Sequence, residues 1–295
     1  MKIKTEQISF PFLNDKEIRI FIKRLDKTHK YISGNKWFKL KYNFLEAKKK
    51  KIRTIITFGG AFSNHIAATA FLGKKEGFNT IGIIRGEEHN PLNPTLTFAK
   101  KQGMILRYLS RDAYRLKNTD NYLDQLKNEF DNIYLIPEGG TNNLAIKGTS
   151  EIINDNDQQD YVCCAVGTGG TIAGIINSAH ENQKILGFPV IKGNNLLQKE
   201  IEKWTNNNSW KLIKNCHCGG YAKLSDKLIT TINTFHEMFQ IPLDGIYTGK
   251  MILGVLDLIK QNYFPKGSSI LLIHTGGIQG NIGLNQRFGL KLPTS

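Results

Sequence analysis

Short runs of β-branched and aliphatic residues alternate with amphipathic stretches along almost the whole chain. The runs Ile18–Ile22, Thr54–Phe58, Thr80–Ile84, Ile105–Leu109, Ile133–Ile136, Tyr161–Val166, Ile185–Phe188 and Ser269–His274 predict strands, several of them covered on both faces. Between them, apolar spacing predicts helices over Trp37–Lys50, Asn64–Glu76, Pro94–Gln102, Thr119–Phe130, Asn143–Ile153, Thr171–Asn182 and Gly249–Gln261. Strand–helix alternation of this kind argues for an α/β fold with a mostly parallel sheet. No internal repeat is visible, and no linker is long enough to separate independent domains. Asn154–Asp160 and Asn206–Asn208 read as surface loops, and Asn90-Pro91-Leu92-Asn93-Pro94 as a turn that starts a helix.

Composition narrows the function classes. The 295 residues suffice for one large domain or two smaller ones sharing a cleft. The longest apolar runs fall far short of a membrane span, and Met1–Phe10 lacks the apolar core of a signal peptide, so a cytoplasmic location is expected. The net charge of +15 raises the question of nucleic acid. The lysines are scattered, however, and the run Lys48–Lys51 sits at a helix tail, where cations complement the dipole. A solvated lysine-rich surface is the expectation, with neither nucleic acid nor membrane as partner. Cys163-Cys164 and Cys216-His217-Cys218 are spaced too tightly for a zinc knuckle; incidental or buried thiols are expected, with no metal.

Four glycine-rich junctions carry the candidate chemistry. In Ser33-Gly34-Asn35-Lys36 a lysine heads a helix behind a Gly-Asn turn. The positive helix end disfavours an ammonium there, which suits a lysine meant to form a Schiff base; a surface lysine fits the tetrapeptide equally well. In Gly59-Gly60-Ala61-Phe62-Ser63-Asn64-His65 a strand runs into a helix whose first amides could cradle a carboxylate, with Ser63 and Asn64 adding donors. A bare helix cap would not require the paired glycines. In Gly167-Thr168-Gly169-Gly170-Thr171 closely spaced glycines allow several N–H groups to converge on a phosphate. His274-Thr275-Gly276-Gly277 follows a strand directly, so Thr275 faces the cleft where α/β proteins bind ligands, although a plain turn would read the same.

Competing motifs fail on inspection. A dinucleotide fingerprint wants G-x-G-x-x-G at the first strand, whereas here the run G-T-G-G-T-I-A-G lies deep in the chain. Gly249-Lys250 is followed by Met251, not the Ser or Thr of a P-loop. His236-Glu237-Met238-Phe239-Gln240 lacks the second histidine of a zinc protease helix, and no Gly-x-Ser-x-Gly elbow occurs.

Taken together, Ser33-Gly34-Asn35-Lys36 with Lys39-Leu40, Phe58-Gly59-Gly60 with Ser63-Asn64-His65, Glu138-Gly139-Gly140-Thr141-Asn142, Gly167–Thr171, Tyr247-Thr248-Gly249-Lys250 and His274-Thr275-Gly276-Gly277 resemble one family. It is the 1-aminocyclopropane-1-carboxylate deaminase / D-cysteine desulfhydrase family of fold-type-II, tryptophan-synthase-β-like pyridoxal-phosphate enzymes. The resemblance implies two open, mostly parallel twisted sheets flanked by helices, with pyridoxal 5'-phosphate in the cleft between a large and a small domain. It places the large domain at residues 1–41 plus 144–295, the small inserted domain at 42–143, and implies a homodimer. Lys36 would hold the cofactor and shuttle protons, Asn64 would bond its phenolic oxygen, and Gly167, Thr168, Gly169, Gly170 and Thr171 would bind its phosphate. Thr275 would face the pyridine nitrogen. Ser63, Asn64 and His65 would hold the substrate, and Tyr247 would flank it, with Ser63 and Tyr247 joining Lys36 in catalysis.

One departure narrows the chemistry the resemblance implies. The deaminase branch has a glutamate after the site tyrosine, where this chain has Thr248. Without a carboxylate the ring nitrogen stays mostly neutral and is a weaker electron sink. The expected reaction is therefore α,β-elimination from a small amino acid, D-cysteine first, giving pyruvate, ammonia and sulfide. Cyclopropane deamination, serine dehydration and racemisation are the alternatives on the same scaffold. A non-catalytic nucleic-acid or anion-binding protein is the remote one.

Overall fold

The computed structural model describes residues 3–32, 34–193 and 196–294, apart from the side chain of Asn14. Ser33, the first residue of the lysine-bearing motif, lies outside the described residues. Among the described residues ten strands run in chain order as β1 (Thr5–Ile8), β2 (Arg19–Arg24), β3 (Thr54–Gly60), β4 (Asn79–Arg85), β5 (Ile105–Leu109), β6 (Ile133–Ile136), β7 (Tyr161–Val166), β8 (Lys184–Pro189), β9 (Trp210–Leu212) and β10 (Ser269–His274). They form two sheets, in the orders β1-β2-β10-β7-β8-β9 and β5-β4-β3-β6. Every pair is parallel except β1 with β2. Thus the two-sheet α/β architecture expected from the sequence is the one observed, and the four-stranded sheet draws only on residues between Thr54 and Ile136.

The centre of the larger sheet explains its all-apolar strands. Every residue of β7 and β10 is buried, because helices cover both faces. One face packs Ile20, Ile22, Cys163, Phe188, Ile270 and Leu272 against Leu228, Ile232 and Phe235 of the helix Asp226–Phe239. The other packs Val162, Cys164, Ile185 and Leu271 against Ile172 and Ile176 of the helix Gly170–Ser178. The four cysteines are free, and two of them are core residues of β7.

Helix boundaries depart from the sequence reading where local chemistry intervenes. The helix expected to reach Asn182 ends at Ser178, whose hydroxyl turns back onto Gly174 O (3.1 Å). Gln183 then ties the following turn to the carbonyls of Asp157 and Gln159. The helix from Asn143 ends at Thr149 and tightens into a single 3-10 turn. Asp226–Phe239 and Gly280–Phe288 are helices the sequence reading left unassigned, and β1 and β9 are unassigned strands. Both strands are short and lie on sheet edges, where few apolar positions are needed.

Sheet order fixes where a ligand can sit. From β7 the chain continues outward to β8, while β10 lies on the other side of β7. The carboxyl ends of β7 and β10 therefore flank a topological switch point, the usual crevice of open α/β sheets. Gly167 and Thr275 are the first residues beyond those two ends.

Candidate active site

The lysine that the sequence singles out stands at the second position of the helix Asn35–Lys49. Gly34 caps that helix with φ 72°, and a Cβ there would lie 1.8 Å from the carbonyl oxygen of Thr275, so only glycine fits. The amide of Asn35 donates to the same Thr275 oxygen (3.2 Å), and its side chain donates to Thr171 Oγ1 (2.7 Å). One residue thereby ties the Lys36 turn to both the Thr275 loop and the Gly167–Thr171 loop. The Lys36 ammonium is lowered to about 8, the direction expected, but its cause is loss of hydration.

Lys39, one turn further on, is a functional candidate that sequence reasoning passed over except as part of a motif. It is 2% exposed and donates to Gly139 O (2.9 Å), Thr141 Oγ1 (3.1 Å) and Thr168 Oγ1 (3.4 Å). Among the described residues no carboxylate pairs with it. Burial, and next the Lys36 charge, push its ammonium well below the ordinary lysine range. Its nitrogen lies 3.1 Å from where a Cβ on Gly170 would stand, beside the glycine-rich loop. The available signal was spacing: residues i and i+3 share a helix face.

That loop has the geometry to cradle an anion. Gly169 has φ 87°, and the helix that starts at Gly170 has no side-chain cap, so its first amides are free to bond a ligand. A Cβ on Gly169 would meet Ile201 at 2.9 Å, and one on Gly170 would meet Thr141 Oγ1 at 2.6 Å. Thr168 bonds Thr141 (2.8 Å), closing the loop over the Glu138–Asn142 segment.

Ser63 caps the helix Asn64–Glu76 by accepting from Ile66 N (3.3 Å), which leaves the amides of Asn64 and His65 without intrahelical partners. Asn64 Oδ1 is buried and has no hydrogen-bond partner among the described residues. Its Nδ2 lies 2.9 Å from the position of a Cβ on Gly277, so Asn64 reaches the Thr275-Gly276-Gly277 turn. His65 points inward and is 1% exposed. Thr57 donates its hydroxyl proton to Ile136 O (2.9 Å), so the 2.8 Å contact between Thr57 Oγ1 and His65 Nε2 makes the histidine the donor. Nδ1 is then a bare acceptor, buried and unpartnered among the described residues. Burial, with Lys36 and Lys39 nearby, holds His65 well below the usual imidazole range and neutral.

Tyr247 is part-buried at the head of the helix Thr248–Lys260, and a Cβ on Gly167 would lie 3.1 Å from its ring. Tyr221, absent from the sequence reading, sets its ring edge-on to Tyr247 with centroids 6.2 Å apart. No motif marks Tyr221, and it arrives from a loop that only the fold brings over the site. Burial, then Tyr221, Asp244 and Glu138, push the Tyr247 phenol well above the usual tyrosine range. Thr248, which stands where the deaminase branch has a carboxylate, spends its hydroxyl on Asp244: it donates to Oδ1 (2.7 Å) and accepts from the Asp244 amide (2.9 Å).

The residues present fit pyridoxal phosphate. A glycine cradle with free helix-start amides lies beside a buried cation that has no carboxylate among the described residues, while Asn64 and His65 hold buried acceptor atoms without a partner among them.

The comparisons with known proteins agree with the fold and with the cofactor. The family model for pyridoxal-phosphate dependent enzymes matches residues 3–276. A Pyrococcus furiosus protein named "Putative 1-aminocyclopropane-1-carboxylate deaminase" is 31% identical over 284 residues, which cover 88% of this chain and 85% of that one. The mitochondrial bifunctional D-cysteine desulfhydrase/1-aminocyclopropane-1-carboxylate deaminase of Arabidopsis thaliana is 28% identical over 88% of this chain and 73% of its own. A crystal structure of an ACC deaminase homologue superposes with a TM-score of 0.84 at 26% identity, covering 97% of this chain and 93% of that one. Motif order, fold and family match coincide over nearly the whole chain, which belongs to the pyridoxal-phosphate dependent enzymes.

Proposed function

We propose that this enzyme is a lyase that removes the β-substituent of a small amino acid, with D-cysteine as first substrate. D-cysteine and one water would give pyruvate, ammonia and hydrogen sulfide. The observation that carries the choice is Thr248, because its hydroxyl is engaged with Asp244 and it brings no carboxylate to the residue after the site tyrosine. The plant relative, whose name includes D-cysteine desulfhydrase, supports the same reading.

In this reading Lys36 holds the cofactor, and the amides and hydroxyls of Gly167–Thr171, with Lys39 behind them, hold its phosphate. Asn64 would hold its phenolic oxygen and Thr275 would face its ring nitrogen. Bound there, pyridoxal phosphate supplies the electron sink for charge developing at the substrate's α-carbon. Lys36 would take the α-proton of the bound amino acid; an amine lowered to about 8 is available as a base near neutral pH. Ser63 and the free amides of Asn64 and His65 hold the substrate carboxylate, and the neutral His65 Nδ1 accepts a hydrogen bond from the substrate side. Tyr247, protonated, flanks the β-substituent and donates to it as it leaves. The small domain of this reading is the insertion 42–143, and the active unit is a homodimer.

A second reading is 1-aminocyclopropane-1-carboxylate deaminase, favoured by the name of the Pyrococcus relative. Product analysis separates the two, since ring opening gives 2-oxobutyrate and elimination gives pyruvate. The deciding experiment is the visible spectrum of the purified protein before and after D-cysteine. A band near about 420 nm that changes on addition, with sulfide released, is the expected result. An unchanged band without sulfide would sink the D-cysteine assignment, and loss of neither band nor turnover in Lys36→Ala would sink the role of Lys36.

A further inference from the structure

Asp244 is a buried carboxylate, 1% exposed, three residues before the site tyrosine. It accepts four hydrogen bonds. Oδ2 takes the amides of Ile246 (2.9 Å) and Tyr247 (2.8 Å), and Oδ1 takes the amide (2.8 Å) and hydroxyl (2.7 Å) of Thr248. Its own carbonyl receives the amide of Gly249 (2.9 Å), so the start of the helix Thr248–Lys260 is wound around this one side chain. The next residue is pinned as well, since Gly245 N donates to Asn281 Oδ1 (3.0 Å) and Asn281 Nδ2 donates to Leu243 O (2.9 Å). The carboxylate also abuts the cofactor side of the site. A Cβ on Gly277 would lie 3.4 Å from Asp244 Cγ and 2.9 Å from Asn64 Nδ2.

An ordinary helix cap needs one or two of these bonds. Here three consecutive amides converge on one carboxylate, and the middle one belongs to Tyr247. We propose that Asp244 is the positioning residue of the site tyrosine, fixing the Tyr247 backbone so that its ring stands over Gly167 and its hydroxyl meets the substrate's β-substituent. The inference rests on the role given to Tyr247 above. Tyr247 is faced by Tyr221 from the loop before the helix Asp226–Phe239, by Asp244 from its own turn and by Glu138 from the segment after β6. Asp244 and Glu138 act in one direction, keeping the phenol protonated, so the same carboxylate that places the donor also preserves its proton.

The test is a double-mutant cycle on the holoenzyme, using D244N, Y247F and the double variant. Asparagine keeps the shape but removes the charge and cannot accept all four bonds. Turnover is followed with D-cysteine or, if that is refused, with whichever small amino acid releases ammonia, so failure of the substrate assignment does not mask a result on Asp244. The expected result is a fall in kcat of about 10- to 100-fold for D244N, with KM changed far less and the visible cofactor band intact. In the Y247F background D244N then changes kcat by less than about twofold, because the residue it serves is already gone. Losses that multiply in the double variant would overturn the proposal, as would a D244N enzyme with wild-type kcat. A Y247F enzyme of undiminished kcat overturns the tyrosine's role and the proposal together. If D244N does not yield folded holoenzyme, T248V takes its place in the cycle, since it removes two bonds of the clasp and leaves the charge. The same non-additivity is expected of it, and multiplicative losses again overturn the proposal.

Discussion

The side-chain amide of Asn35 donates to the hydroxyl of Thr171 across 2.7 Å, linking the residue before Lys36 to the last residue of the glycine-rich loop. Their separation in sequence is 136 positions. In the proposed reading this bond ties the covalent end of the cofactor site to the anionic one.

Asn35→Ala should therefore loosen cofactor binding without unfolding the chain. Removing the donor leaves a part-buried hydroxyl to find another partner, a loss of about 1–3 kcal/mol, or roughly 5- to 150-fold in affinity. Titrating the apoprotein with pyridoxal phosphate and following the visible band measures it; unchanged affinity would show that the two loops are held together by other contacts.

The state of Lys36 predicts a pH dependence. Only the neutral amine attacks a carbonyl, and the ammonium is lowered to about 8. Below that value the rate of cofactor attachment should rise about tenfold per pH unit, and above it the rate should level off. Stopped-flow mixing of apoenzyme with pyridoxal phosphate reads this directly. A plateau reached only near the ordinary lysine value of 10.5 would contradict the loss of hydration at Lys36.

The same depressed pKa has a consequence for stability. Between about 8 and 10.5 the unfolded chain binds more protons than the folded apoprotein, so apoprotein stability rises with pH through that window. Lys39 acts with the same sign, being lowered further by burial. Lys39→Met removes a buried ammonium that no carboxylate balances, so the apoprotein should melt about 2–4 °C higher. The variant should also lose most of the protection that inorganic phosphate gives the wild type. Equal protection of both would remove Lys39 from the anion site.

Gly34→Ala tests the tightest approach in the site. The added methyl would stand 1.8 Å from the Thr275 carbonyl oxygen and require a left-handed backbone of φ 72° from an alanine. Relief needs movement of the Thr275 turn, so a destabilisation of about 3 kcal/mol or more is expected, with the cofactor site lost first. Thermal melts with and without pyridoxal phosphate follow it. A variant that still melts higher with the cofactor, by as much as wild type, would mean that the turn can shift freely.

Among the described residues no helix is long and apolar enough to cross a membrane, in line with the short apolar runs of the sequence. The sequence by itself determined the alternation of strand and helix, because β-branched runs and amphipathic spacing are local properties. It also determined the glycine-rich turns, since Gly34, Gly169 and Gly277 need backbone conformations or approaches that few other residues tolerate. Lys36, Asn64 and Gly167–Thr171 were legible as candidates for that reason: each is attached to a turn with its own local signature. What only the tertiary structure decided are pairings between segments far apart in the chain. Tyr221 meets Tyr247 through a loop without a motif, and Lys39 becomes a buried cation only when Gly139, Thr141 and Thr168 close around it. The tautomer of His65 follows from a hydroxyl on a neighbouring strand already committed to a carbonyl. Thr248, read in sequence only as the residue that replaces a glutamate, is held by Asp244 once the helix start is wound. Burial and hydrogen-bond competition belong to no residue alone, so spacing along the chain could mark the candidates but not divide the work among them.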